Sequence, residues 1–146
     1  MVARWLQRQW FEQRRLPPAL WLLAPLAGLY SVVAARNRRQ ARPERLAVPV
    51  IVVGNITIGG AGKTPLTLWL AGQLKERGWR PGIVSRGYGG QGALPRPVAP
   101  DSAAVDVGDE PILLARRSGV PVWVGRDRVA VGNTLLAAHP DVSVVL

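Results

Sequence analysis

Thr57-Ile58-Gly59-Gly60-Ala61-Gly62-Lys63-Thr64 brings three glycines, a lysine and a hydroxyl together at the spacing of a phosphate-binding loop. Without side chains at 59, 60 and 62 the backbone can curl with its N–H groups inward, forming an anion nest at the start of a helix. Lys63 then adds a point charge for the β- and γ-phosphates of ATP, and the Thr64 hydroxyl adds a ligand for Mg²⁺. The pattern G-x-x-x-x-G-K-[ST] is missed by one residue, because Thr57 stands where its first glycine belongs. The bland alternative is a glycine turn between a strand and a helix, with Lys63 in solvent. The coincidence of glycines, Lys, Thr, an apolar run upstream and a helical pattern downstream favours nucleotide binding.

Gly108-Asp109-Glu110-Pro111 places two adjacent carboxylates at a helix start. An N-cap or first-turn acid, favoured by the helix dipole, accounts for Asp109 on residue type alone. The alternative is a carboxylate that orients a hydroxyl and accepts its proton. In Ser85-Arg86-Gly87-Tyr88-Gly89, Arg86 and Tyr88 either bind phosphate or stabilise a turn. Arg126 and Arg128 flank Asp127 as at a capped helix start, and His139 before Pro140 suits a helix C-terminus. With no cysteine and one histidine, thiolate metal sites are excluded and histidine metal sites nearly so.

Such groups need elements to hold them. After Pro43, short apolar runs alternate with helical stretches, the mark of βαβ units and a parallel sheet. Val48 to Val53 reads as a strand buried on both faces, and Lys63 to Arg77 as a helix opened by the glycine loop and stopped by Gly78. A strand at Gly82 to Ser85 and a loop rich in glycine and proline to about Gly108 follow. Then come a helix at Asp109 to Ser118, a strand at Val120 to Val124, a helix from Asp127 to Ala138 and a strand at Val142 to Leu146. The fold expected for residues 46–146 is thus a P-loop NTPase-like α/β domain, its parallel sheet flanked by helices. Because the sequence ends on a buried strand, the sheet is expected to be incomplete there.

Residues 1–45 differ in kind. They hold nine arginines against Glu12 and Glu44, which is +7 of the net charge of +10 in the 146 residues. Charge concentrated there suits anionic lipid head groups better than a basic nucleic-acid face, and no nucleic-acid module is evident. From Leu16 to Ala35 there are twenty residues without a charge, about the length a spanning helix needs. Pro17, Pro18, Pro25 and Gly28 weaken a straight span, so spanning and in-plane insertion both stay open. Arg4, Arg8, Glu12 and Arg15 recur at helical spacing with Trp5 and Trp10 on other sides, as in an interfacial amphipathic helix. Residues 1–45 are therefore expected to associate with a membrane; a hairpin packed on protein is the alternative.

Val53-Gly54-Asn55, the loop Thr57 to Pro65, Ser85 to Gly89, and Val107 to Pro111 together resemble the tetraacyldisaccharide 4′-kinase family of lipid A synthesis. The resemblance implies transfer of the ATP γ-phosphate to the 4′-hydroxyl of an acylated glucosamine disaccharide 1-phosphate, at the cytoplasmic face of a bacterial inner membrane. It implies ATP at Thr57, Ile58, Gly59, Gly60, Ala61, Gly62, Lys63 and Thr64, with Mg²⁺ at Thr64. Asp109 then matches the catalytic carboxylate, assisted by Lys63. Glu110, Arg86 and Tyr88 are substrate contacts on the same reading. In that family an acidic Mg²⁺ motif and a histidine follow the strand that ends at Leu146, so the 146 residues are expected to be inactive alone. Two other functions compete. A partitioning-type ATPase switch uses a similar loop but a lysine where Ile58 stands, and a membrane-bound nucleotide-binding fragment would lack chemistry altogether.

Overall fold

The computed structural model describes residues 18–40, 44–54, 62–92 and 94–146, which fall in two units, Met1–Pro43 and Glu44–Leu146. In the first unit a 3-10 turn at Pro18–Leu23 runs into helix α1 (Ala24–Gln40). Pro25 lies in the first turn of α1, where a missing N–H leaves no intrahelical bond unmade. Leu26, Leu29, Tyr30 and Val32 of α1 are all exposed, while Arg38 and Arg39 sit in its last turn, at the negative end of the helix dipole. Among the described residues no helix is long and apolar enough to cross a membrane. Residues 18–35 of the uncharged run are divided between the 3-10 turn and α1, and α1 carries on into the arginines; Leu16 and Pro17 lie outside the described residues.

In the second unit α2 (Lys63–Glu76) ends at Gly78, whose φ of 82° suits glycine, and the Gly78 and Trp79 amides donate back to Lys75 and Leu74 carbonyls. Next come β1 (Pro81–Ser85), β2 (Arg96–Pro97), the short α3 (Ala104–Val107), α4 (Asp109–Ser118), β3 (Val122–Val124), α5 (Arg128–Ala138) and β4 (Val144–Val145). The strand order is β2-β3-β1-β4. β1 is parallel to both neighbours, with Ile83 opposite Val122 and Pro81 opposite Val144. β2 pairs antiparallel with β3, so the sheet is mixed; this strand arises inside the stretch that reads as a loop. Pro97 has no N–H to give a second neighbour, which suits an edge position.

The expected strand at Val48 to Val53 is reduced to one parallel bridge, Val50 with Val145, flanked by Ile51 N donating to Val145 O at 2.8 Å. Val52 is 86% exposed, so the expected burial on both faces is not found. The segment borders β4 at the end of the described sheet and has one described neighbour there.

Alternation with period two sends residues to opposite faces of the sheet. Ile83, Val122, Val124 and Leu146 pack with Ala71 of α2 and with Ile112 and Leu114 of α4. Trp123, Val145 and Val84 pack on the other side with Val131 and Leu135 of α5. Gly82 permits the close approach of α5, since a Cβ there would lie 2.9 Å from a Leu135 methyl. In this layered order α2, α4 and α5 all begin at the carboxyl end of the parallel strands, where open α/β sheets bind ligands.

Candidate functional site

Gly62 precedes α2 in the left-handed conformation, φ 72°, and its carbonyl accepts from Leu66 N at 3.1 Å, the first turn of the helix. Lys63 and Thr64 therefore stand on the opening turn, at the positive end of the helix dipole. The remaining loop positions, Thr57, Ile58, Gly59, Gly60 and Ala61, lie outside the described residues.

A second helix start faces this one. Gly108, with φ 85° and ψ 157°, breaks the chain between α3 and α4 and serves as the α4 N-cap, making no side-chain cap bond. Asp109 is accordingly the first helical residue and not the cap, which removes the hydrogen-bonded capping role and leaves the milder one of a first-turn acid. Glu110 reaches across instead: the Thr64 hydroxyl donates to Glu110 Oε1 at 2.5 Å, between residues 46 apart in sequence. Sequence reading put Glu110 beside Asp109 in the site but gave no sign of this bond. Only the pairing of α2 with α4 in the fold creates it.

Asp109 is exposed in the same turn, and Arg86 and Tyr88 lie on the loop that leaves the carboxyl end of β1, with Tyr88 91% exposed. Among the described residues no hydrogen bond or ion pair joins Arg86 or Tyr88 to Asp109 or Glu110. Nor do the described residues contain a group of three or more His, Cys, Asp or Glu suited to a metal. The Thr64 hydroxyl and the Glu110 carboxylate are two hard oxygen donors at one point. That fits Mg²⁺, which takes few protein ligands and completes its shell with phosphate oxygens and water. Asp127 caps α5, accepting from Val129 N at 3.0 Å and Ala130 N at 3.1 Å, so the Arg126–Arg128 segment is a capped helix start as expected. His139 ends α5 with its ring edge-on to Trp123, centroids 6.4 Å apart. A cavity of about 380 Å³ lies between Lys75, Trp79, Arg80, Pro121 and Asp141, at the amino ends of the strands and away from these groups.

A three-layer α/β unit with Gly-Lys-Thr opening a helix at the carboxyl edge of its sheet belongs to the class of P-loop nucleotide-binding folds. The sequence model of the tetraacyldisaccharide-1-P 4′-kinase family matches residues 19–146, and the chain belongs to that family. Over all 146 of its residues it is 69% identical to the tetraacyldisaccharide 4′-kinase of Dechloromonas aromatica, covering 44% of that protein. To the enzyme of the same name from Herminiimonas arsenicoxydans it is 54% identical over 133 residues, 88% of this chain and 37% of the relative. The crystal structure of LpxK from Aquifex aeolicus in complex with ATP superposes with a TM-score of 0.70 at 32% identity, covering 84% of this chain and 42% of that one. The chain thus spans less than half the length of the curated relatives it matches.

Proposed function

We propose that the chain forms the nucleotide-binding part of a kinase that transfers the γ-phosphate of ATP to the 4′-hydroxyl of a tetraacylated glucosamine disaccharide 1-phosphate. The observation that carries the reading is the 2.5 Å bond from Thr64 to Glu110, which brings the phosphate-loop helix and the Asp109–Glu110 helix start to one point. Family membership supports the reading, and so does the similarity to a chain solved with ATP.

Phosphoryl transfer to an alcohol asks the protein mainly for position and charge. The loop ending at Gly62 and the start of α2 hold the β- and γ-phosphates, and Lys63 offsets negative charge there as the bond to the leaving oxygen breaks. Thr64 and Glu110 would hold Mg²⁺, which would supply positive charge to offset that of the phosphates. Asp109, in the same turn as Glu110, orients the sugar hydroxyl and takes its proton as the oxygen attacks. Arg86 and Tyr88, exposed at the carboxyl edge, contact the disaccharide or its phosphate. Acyl chains on the acceptor favour a reaction at a membrane surface, and the use of ATP favours the cytoplasmic face of the bacterial inner membrane. Exposed Leu26, Leu29 and Tyr30 on α1, followed by Arg36, Arg38 and Arg39, supply apolar and cationic groups for an anionic bilayer.

The test is a chimera in which this chain replaces the matching part of the Dechloromonas aromatica kinase. Labelled γ-phosphate should appear at the 4′-position of the lipid. If the chimera folds and binds ATP yet leaves the lipid unlabelled, the reading is wrong.

A further inference from the structure

We infer that Gly90 and Gly108 are positioning residues. They form a side-chain-free clasp between the 87–91 loop and the 105–108 segment, which fixes the start of α4 so that Glu110 meets Thr64 and Asp109 stands beside it in the same turn. The consequence for catalysis rests on the kinase reading above; the clasp itself does not.

The two backbones touch. A Cβ at Gly90 would lie 2.6 Å from Asp106 O, one at Gly108 would lie 2.5 Å from Tyr88 O, and one at Gly87 would lie 3.0 Å from Val107 O. The clasp is tied by Gln91 N donating to Val105 O at 3.0 Å, and the loop is turned by Gly90 N donating to Gly87 O at 3.0 Å. Arg96 adds an exposed ion pair to Asp106 at 3.9 Å, a contact that contributes little by itself.

Both halves are anchored in the sheet layers. The loop leaves β1 at Ser85, whose carbonyl accepts from Gly125 N at 3.2 Å, and the other half ends on Val107, which is buried in the core beside Ile112. The clasp therefore registers the β1 loop against the residue that immediately precedes Asp109. Neither glycine offers a side chain to substrate or phosphate. What they set is where the two carboxylates stand, and a displacement of about 1 Å in a reacting constellation costs about a hundredfold in rate.

Alanine substitutions separate steric contact from backbone conformation. Gly90 is not in the left-handed region, so Gly90→Ala introduces the clash alone. Gly78, with φ 82° and nothing within 4 Å of a built Cβ, tests backbone strain without contact and far from the clasp. In the chimera Gly90→Ala should lower kcat about a hundredfold while the Kd for ATP stays within about twofold. Gly78→Ala should lower the melting temperature and leave kcat within about twofold.

Hydrogen exchange on this chain supplies a readout without turnover. Gly90→Ala should speed exchange across residues 105–112 and leave α5 unchanged. Unaltered exchange across 105–112 overturns the clasp, whether or not the chimera phosphorylates lipid. Faster exchange there with full kcat in Gly90→Ala, or with kcat and ATP affinity lost together, overturns the positioning role. A wild-type chimera without transfer refutes the kinase reading instead, and the exchange measurement still decides the clasp.

Discussion

The Thr64 hydroxyl and the Glu110 carboxylate meet at 2.5 Å, although 46 residues separate them in the chain. A hydroxyl and a carboxylate at that distance act as a unit, so their losses should not add. Thr64→Val and Glu110→Gln should each raise the Mg²⁺ concentration needed for half-maximal ATP binding about tenfold, and the double variant should fall close to the worse single one. Calorimetric titration of the four proteins measures this; fully additive losses would show that the two groups do not share a metal.

Lys63 is exposed on the opening turn of α2, outside both core clusters. Its removal should therefore leave folding nearly intact while removing a charge that no backbone amide replaces. Lys63→Ala in the chimera should lower turnover about a hundredfold or more, with a melting temperature within about 2 °C of wild type. Retained turnover counts against the phosphate role.

Asp109 is neither buried nor the N-cap of α4, because Gly108 holds that position. Asp109→Asn should consequently cost only about 0.5 kcal/mol through the helix dipole. In the chimera it should lower kcat about a hundredfold or more and change the Kd for ATP by less than about threefold. An Asn variant with full kcat would return Asp109 to the role of a first-turn acid.

How far residue type and spacing reach is clear from the elements themselves. α4 begins at Asp109 and ends at Ser118, as the Gly108 and Gly119 boundaries require, and the apolar runs around Ile83 and Trp123 are central strands because neighbours cover them on both faces. β2 carries no strand signal because Arg96–Pro97 is two residues long and contains proline; its pairing comes from β3 and not from its own propensity. Val50 and Val52 mislead for the converse reason. Their apolar character suits a central strand, yet the burial of a strand depends on neighbours that its own residues do not encode. The same limit applies to Thr64 and Glu110. Thr64 reads as a Mg²⁺ ligand and Glu110 as a substrate contact, but the 2.5 Å between them belongs to the packing of α2 on α4.

Asp127 provides a control for a purely capping carboxylate. Its side chain accepts from two amides at the start of α5, so Asp127→Ala should cost about 1 kcal/mol and lower the melting temperature by about 3 °C. Turnover of the chimera should be unchanged below that temperature. A loss of activity without a loss of stability would give Asp127 a part in the chemistry.

α1 offers lipid both apolar and cationic groups. Its Leu26, Leu29 and Tyr30 are exposed and its last turn carries Arg38 and Arg39, so apolar insertion and charge attraction to lipid should act together. Each arginine near an anionic surface contributes about 1 kcal/mol, and each buried leucine about 2 kcal/mol. Leu26→Glu with Leu29→Glu should therefore abolish cosedimentation with vesicles of mixed anionic and neutral lipid. Arg38→Gln with Arg39→Gln should weaken it by about tenfold or more and reduce its salt dependence. Binding that survives both pairs of substitutions at wild-type strength would exclude α1 as the membrane contact. Binding lost only with the arginines would make the attachment electrostatic, with the leucines left outside the bilayer.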